Sequence, residues 1–219
     1  MKADLHVHST HSDDGHQTIE EIIDRCRQLD IRVLAITDHN DMGGCEEAMR
    51  LGEGMIVIPG IEISSKGGHI LGLGLDRPVP RGLEVAETIR QIHEAGGIAI
   101  APHPYRMSTG LGENNVRDND FDAIEVANGR SRRGGNRAAK ALAEELRLPV
   151  MGGSDAHDQR SLGRALTEVP DDCRTASEVI TAIKTGRCKA IGAGQSSTRS
   201  LSSAIMSTSR WFRRGLKRM

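Results

Sequence analysis

Residues 2–15 read KADLHVHSTHSDDG. The stretch opens as a strand over 2–7, and the i, i+2 spacing of His6 and His8 puts both imidazoles on one face, where both can approach one ion. The turn after the strand matters as much as the strand itself. A glycine-rich turn after a first strand would mark an open, dinucleotide-binding sheet, and none stands here, so a closed or nearly closed (β/α) barrel is favoured.

Outward from that strand, short apolar runs rich in β-branched residues alternate with longer polar stretches of helical character, the pattern of parallel βα units. Strands are expected near 2–7, 32–37, 55–63, 68–74, 97–101, 122–127 and 149–152, with a short one at 189–192. Between them, Thr18 to Leu29 sets Ile19, Ile22, Ile23, Cys26 and Leu29 on one helical face behind a Thr18 N-cap, with Glu20 and Glu21 in the favoured first turn. Helices are likewise read from Arg81 to Ala95, from Asn136 to Leu148 and from Thr175 to Thr185. No repeat of fixed period appears, which excludes solenoids. Residues 1–195 are expected to form one barrel domain, and 196–219 a basic tail of helical character after a small, polar linker.

Histidine is the compositional anomaly: 9 of the 219 residues are His, against 1 Trp, 1 Tyr and 2 Phe. The core must therefore be aliphatic. Recurrent compact runs such as RVLAI and MIVIPGIEI exclude wholesale disorder. No stretch approaches the roughly 20 apolar residues of a spanning helix, and the first residues carry no apolar leader segment. Cys26, Cys45, Cys173 and Cys188 are scattered without CxxC spacing, and read as reduced thiols of a cytoplasmic protein. The net charge of −1 hides an asymmetry, because six basic residues and no acid lie from Arg199 onward. Residues 1–198 hold 23 basic against 30 acidic residues, a net −7, which argues against a stable nucleic-acid complex. The tail reads first as a terminal helix docking Ile205, Trp211, Phe212 and Leu216, with attraction to an anionic polynucleotide or membrane surface as the alternative.

Polar residues gather where the expected strands end, which is where barrel active sites are built. His6 and His8 close the first strand, Asp38 and His39 end the second, Glu62 ends the third and His69 opens the fourth. His103 follows IAIAP, and Asp155 and His157 follow VMGGS. One such residue would mean little. Six histidines and several carboxylates at strand ends form a ligand inventory for divalent Zn, Mn or Fe, and the absence of cysteine favours a hydrolytic site over a closed structural one.

The motifs DLHVHSTHSDDG, AITDHN, GIEIS, GGHILGLGL, APHP, IEVANGR and GGSDAH, taken in order, resemble the PHP family, named after polymerase and histidinol phosphatase. The likeness runs from about residue 2 to residue 192, nearly the whole chain before the tail. It implies a distorted (β/α)7 TIM-like barrel, two or three divalent metal ions and phosphoesterase activity. Within the family the chain looks most like short phosphoesterases acting on small nucleotides or nucleic-acid ends. Carried over motif by motif, the resemblance gives His6, His8, Glu62 and Asp155 to a first metal. Glu62 would bridge to a second completed by His69 and His103, and His39 and His157 would hold a third with an aspartate from the first loop. That loop departs from the family pattern: Ser12-Asp13-Asp14-Gly15 is one residue longer, so Asp13 and Asp14 both remain candidates, with Asp14 favoured because related loops place the ligand directly before the glycine. His11 stands where many relatives have Tyr, as a ligand or as pocket lining.

Other candidates have simpler readings. Asp38 is expected to orient a metal-bound histidine or cap the following segment, Asp4 to serve structure at the strand end, and His16 and His93 to be surface residues. Arg106, Asn128 and Arg130 are expected to face substrate, and Arg132, Arg133 and Arg137 to widen that basic rim or to begin a solvated helix.

The implied chemistry is hydrolysis of a phosphodiester or phosphomonoester of a nucleotide or short oligonucleotide by a metal-bridging hydroxide, with Glu62 as bridge, His157 (if its ring is not committed to metal) or a metal-bound water near it as proton donor, and Arg106 and Arg130 stabilising charge. A small-metabolite phosphatase of the histidinol-phosphate kind and a non-catalytic, metal-stabilised module are the competing classes. The complete ligand set speaks against the module.

Overall fold

The computed structural model describes residues 1–192 and 194, so the tail expected at 196–219 lies outside the described residues. Nine strands form one sheet in the order β7-β6-β5-β4-β3-β2-β1-β8-β9. They are β1 (Lys2–Val7), β2 (Ile31–Ile36), β3 (Ile56–Ser65), β4 (Gly68–Leu73), β5 (Ile98–Ala101), β6 (Ala123–Asn128), β7 (Val150–Gly153), β8 (Ala165–Glu168) and β9 (Lys189–Gly192). Helices α1 (Ile19–Gln28), α2 (Gly43–Leu51), α3 (Val85–Glu94), α4 (Gly112–Arg117), α5 (Arg133–Leu146) and α6 (Ala176–Lys184) lie between them.

The sheet curls into a nearly closed barrel because the chain leaving β7 runs on along β1. Asp155 N–H donates to the His6 carbonyl at 2.7 Å and His8 N–H to the Ala156 carbonyl at 2.9 Å. Side chains complete the seam: Thr167 Oγ1 accepts from Gly152 N–H and donates to its carbonyl, while Asp4 accepts from Ser154 and Gly163 N–H. Burial raises the Asp4 carboxyl to about 6 against these hydrogen bonds, which fits a structural carboxylate at the strand end.

Local sequence accounts for most element boundaries. Thr18 caps α1 and Thr175 caps α6, each in a reciprocal capping box with Glu21 and Glu178, worth about 1 kcal/mol per cap. The core is aliphatic on both faces of the sheet, with Leu5, Ile36, Ile58, Ile61, Ile63, Ile70 and Leu71 all fully buried. Each such side chain contributes roughly 1.5–3 kcal/mol by leaving water. The four cysteines are buried and free, and no helix among the described residues is long and apolar enough to cross a membrane.

The uniformly parallel pattern needs correction. β3 and β4 are antiparallel, with Ser65 opposite Gly68, and β4 is antiparallel to β5. Only Lys66 and Gly67 join β3 to β4, far too few residues for a parallel crossover. β8 is antiparallel to β1 and β9 to β8. β8, α2 and α4 have no counterpart among the expected elements, and α5 starts at Arg133, ahead of the expected Asn136.

Candidate active site

Parallel strands β1, β2, β5, β6 and β7 deliver their C-terminal ends to one mouth of the barrel, and antiparallel β4 delivers its N-terminal end there. That is why His69, near the start of its strand, joins residues from the ends of the others. Beyond β2, Glu62 N–H donates to the Asp38 carbonyl and Asn40 N–H to the Glu62 carbonyl, which sets His39 beside Glu62.

Glu62 is the centre, and its two carboxylate oxygens face different partners. Oε1 lies 2.9 Å from His69 Nδ1 and 2.9 Å from His103 Nε2. Oε2 lies 3.2 Å from His8 Nε2, 3.2 Å from His39 Nδ1 and 3.5 Å from His6 Nε2. Asp155 Oδ1 stands 3.6 Å from His8 and 3.8 Å from His6. Asp14 Oδ2 lies 2.9 Å from His157 Nε2 and 3.8 Å from His39 Nε2.

All nine expected ligands thus fall in one continuous cluster of four overlapping donor groups: His6–Glu62–His103, His6–His8–Asp155, His39–Glu62–His69 and His8–Asp14–His39–His157. The partition differs in detail from the one the resemblance implied, since His69 groups with His39 and His8 joins the Asp14 set. Asp13 is exposed. His11 is drawn to Asp41 and Glu47, and His93 pairs with Asp122 on the surface.

Charge and burial oppose each other throughout the cluster. Burial works to raise the Glu62 carboxyl, yet His69, His39 and His6 and the hydrogen bond from His103 hold it well below the usual carboxylate range. Burial likewise opposes ionisation of Asp155, and Arg106, His6, Arg130 and His157 overcome it. Asp14 is held low against burial, chiefly by its hydrogen bond with His157. His103 is pushed down to about 3 by burial and by Arg106, so its ring is neutral.

The donor set fits divalent cations. His6 Nε2, His8 Nε2, His39 Nδ1, His103 Nδ1, Asp14 Oδ1 and Asp155 Oδ1 are all buried without a hydrogen-bond partner. Each orphan would cost about 1–3 kcal/mol if left so, and three of them, His6 Nε2, His8 Nε2 and His39 Nδ1, gather within 3.5 Å of Glu62 Oε2, where a cation would serve them together. Two ring orientations are already set for the purpose. Glu125 Oε1 accepts from His6 Nδ1 at 2.9 Å, which turns Nε2 toward Glu62 and Asp155. Ser12 Oγ donates to Asp38 at 2.9 Å and accepts from His39 N–H at 2.8 Å and from His8 Nδ1 at 3.3 Å, leaving His8 Nε2 open. Asp38 also accepts from the Ser9 backbone and hydroxyl, so it organises the first loop and orients His8 through Ser12.

Glu125 and Ser12 are the site residues that sequence reasoning missed. Glu125 is the one charged residue inside an otherwise uncharged strand, β6, and a carboxylate fully buried there needs dedicated donors. Its Oε2 accepts from His103 N–H at 3.0 Å and from Asn128 Nδ2 at 2.9 Å. Ser12 carries no comparable signal, because a loop serine looks the same whether solvated or buried. His103 and Asp155 adopt positive φ, 29° and 52°, strained backbone of the kind that collects at functional sites. Gly153 is required by contact, since a Cβ there would stand 2.4 Å from His6 Cβ.

The three expected substrate residues divide. Arg106 donates to Asp155 and, at 2.8 Å, to Asn128 Oδ1. Arg130 Nη1 lies 2.7 Å from His157 Nε2 and 3.6 Å from Asp155. Asn128 departs from a substrate contact: it is fully buried, its Oδ1 accepts from Arg106 and from the Arg130 and Ser131 N–H groups, and its Nδ2 donates to Glu125 and Asp155. It positions the arginine loop from behind.

Sequence profiles agree with this geometry. The profile described as PHP domain matches residues 4–111, and the one described as PHP-associated matches residues 133–188. The uncharacterized protein MJ1587 of Methanocaldococcus jannaschii is 40% identical over 161 residues, covering 67% of this chain and 94% of that one. The chain belongs to the PHP family. As a PHP protein it is a metal-dependent phosphoesterase, and family membership implies divalent metal ions. The phosphoribosyl 1,2-cyclic phosphate 1,2-diphosphodiesterase of Eggerthella lenta is 41% identical over 88 residues, 36% of this PHP chain but only 33% of that enzyme. The crystal structure of a two-domain protein containing a predicted PHP-like metal-dependent phosphoesterase, from Bacteroides vulgatus, superposes with a TM-score of 0.75 at 20% identity, over 88% of this chain and 65% of that one, and so shares the barrel.

Proposed function

We propose that this PHP chain hydrolyses phosphoester bonds, foremost the phosphodiesters of a nucleotide or short oligonucleotide, with two or three Mn, Zn or Fe ions held by His6, His8, Asp14, His39, Glu62, His69, His103, Asp155 and His157. The observation that carries the reading is the split Glu62 carboxylate, whose oxygens face separate histidine sets while the buried donor atoms His6 Nε2, His8 Nε2 and His39 Nδ1 beside it lack hydrogen-bond partners. Bound there, divalent ions supply an acidified water and neutralise phosphoryl charge.

The chain's own groups do the rest. Glu62 joins the donor sets and keeps them at fixed separation. Glu125 and Ser12 hold His6 and His8 with their Nε2 atoms bare. Arg106 and Arg130, tethered through Asp155, turn their remaining N–H groups toward the negative charge of the phosphoryl oxygens. The proton reaches the leaving oxygen at the lip of the cluster beside Asp14, from His157 where its ring is left free of metal or from a water beside it. Four buried cysteines, none of them bridged, support a cytoplasmic setting.

The test is protein purified without chelator, with bound metal counted by elemental analysis and turnover measured on bis-p-nitrophenyl phosphate, p-nitrophenyl phosphate and short oligonucleotides. Chelator-sensitive turnover with a preference for diesters is expected. Glu62→Gln should lower kcat about a thousandfold, the several kcal/mol a misplaced metal cluster costs. Near-normal turnover of Glu62→Gln with full metal content would refute the bridging role, and turnover of monoesters alone would move the substrate to a small phosphorylated metabolite.

A further inference from the structure

Between β1 and α1, residues 9–16 form a loop that carries Asp14, the carboxylate of the His8–Asp14–His39–His157 donor group. The loop turns tightly on itself. Ser12 N–H donates to the Ser9 carbonyl at 3.0 Å and Gly15 N–H to the Ser12 carbonyl at 3.1 Å, and a Cβ on Gly15 would stand 1.7 Å from the Ser9 carbonyl oxygen. Its two ends then meet at one residue, Gln17. The Gln17 carbonyl accepts from Thr10 N–H at 3.0 Å, and its side-chain Nε2 donates to the His8 carbonyl at 2.9 Å and to the Ala156 carbonyl at 3.1 Å. Beside it, His16 N–H donates to the His157 carbonyl at 2.9 Å. One amide thus ties the start of the loop, its end and the segment after β7 that carries His157.

Glutamine is an unexpected choice for this place. Gln17 stands directly before Thr18, the N-cap of α1, where an apolar side chain packed on the helix is the common arrangement. Here the side chain is polar and the residue has no exposed surface. The amide orientation follows from its partners, since the reverse would set Oε1 against two carbonyl oxygens. Both Nε2 protons are therefore spent on the backbone, and Oε1 is buried without a hydrogen-bond partner. A stranded buried acceptor cancels much of what the two bonds return, so an apolar side chain of similar size would serve stability about as well. An apolar side chain could not hold the His8 and Ala156 carbonyls to one point. Those carbonyls belong to one donor of the group and to the neighbour of another. The His8 and His157 ring centroids lie 4.1 Å apart, and Asp14 Oδ2 lies 2.9 Å from His157 Nε2.

We propose that Gln17 is the positioning residue of this donor group, a role that rests on the metal assignment proposed above: its amide latches the Asp14 loop to the segment after β7 and so holds His8, Asp14 and His157 at the separation at which they share one cation. Titration of the chelator-stripped full chain with Mn2+ by calorimetry, with bound metal counted after desalting, reads the latch through binding and apart from turnover.

In Gln17→Met the ion held most weakly should lose about 10- to 100-fold in affinity, while the other ions stay within about twofold of wild type. The metal-free melt should stay within about 4 °C. Gln17→Glu keeps the side-chain length and loses both donors, and it carries the test if the methionine variant does not fold. Its added negative charge favours cations, so the same loss of affinity there reads the missing amide. Asp14→Asn should weaken the same ion, and Gln17→Met/Asp14→Asn should lose little beyond Asp14→Asn, because both changes act on one group. Equal affinity for every ion in wild type and both Gln17 variants would overturn the proposal. So would equal weakening of all the ions together with a lower metal-free melt, the result for a residue that serves the barrel seam alone, or the loss of two separate ions in the double variant. A wild type that binds Mn2+ but turns over no diester would overturn the phosphoesterase reading, and the same titrations would still decide the latch.

Discussion

On one flank of Glu62, His6 and His103 are sealed from solvent and braced from behind by Glu125; on the other, Asp14, His39 and His157 come from loops and stay partly open. The side chain of Asp14 is 28% exposed and that of His39 17%, against none for His6 and His103. On the braced flank Glu125, itself fully satisfied, fixes the His6 ring and the His103 backbone, so that geometry is set before any cation arrives. The open flank is held by histidine–carboxylate pairs within reach of water. The contrast divides labour within one cluster: the sealed side fixes where charge is concentrated, and the open side is where substrate and solvent meet it.

Breaking the brace should show that difference most strongly. In Glu125→Gln the new amide cannot replace both carboxylate oxygens. If its NH2 takes the place of Oε2, it opposes the His103 N–H and Asn128 Nδ2 donors; if it turns toward His6, it drives the proton to Nε2 and blocks the ligand atom. Metal affinity or activity should fall about 10- to 100-fold while circular dichroism stays native. Wild-type metal titration in this variant would show that the buried flank needs no brace.

The fold was legible where local rules govern and illegible where contact across the chain decides. Thr18 and Glu21, or Thr175 and Glu178, announce a helix start within four residues, and the aliphatic strands carry their own period. The sense of β4 is a tertiary fact, visible only through the shortness of the Lys66-Gly67 link, and β8 is a four-residue strand whose place is set by pairing with β1 and β9. The donor cluster stood out because six histidines and several carboxylates gather at strand ends together, where one alone would mean little. Their supports did not. Ser12 and Gly153 act through hydrogen bonds and clearances to residues up to 147 positions away, and nothing in their local sequence records that; Asn128 was legible as a site residue, but its place behind the arginines was not.

Gly153→Ala presses on the same brace sterically. The added methyl would lie 2.4 Å from His6 Cβ and 2.9 Å from Glu125 Oε1, with backbone on both sides limiting relief. Overpacking of this kind costs about 1–3 kcal/mol, and displacement of His6 should lower activity about tenfold. A thermal melt should drop by roughly 2–4 °C per kcal/mol in a domain of this size. An unchanged melt with unchanged turnover would mean that β1 and β7 slide apart freely, and the sealed flank would then be less rigid than its hydrogen bonds suggest.

The smallest effect separates two neighbours on the open flank. Asp14 Oδ2 pairs with His157 at 2.9 Å and its carboxyl is held low against burial, whereas Asp13 next to it is exposed. Asp14→Asn removes a charge that the His8–His39–His157 group uses, so one weakly held metal should be lost and turnover should fall roughly fivefold, with the buried donors still loaded. Asp13→Asn should leave metal content and turnover within about twofold of wild type, as an exposed loop residue does. The comparison is decided by metal counts on the two variants side by side. If Asp13→Asn loses the metal and Asp14→Asn keeps it, the longer loop reaches the cluster through its first aspartate, and the open flank rearranges on loading where the braced one holds still.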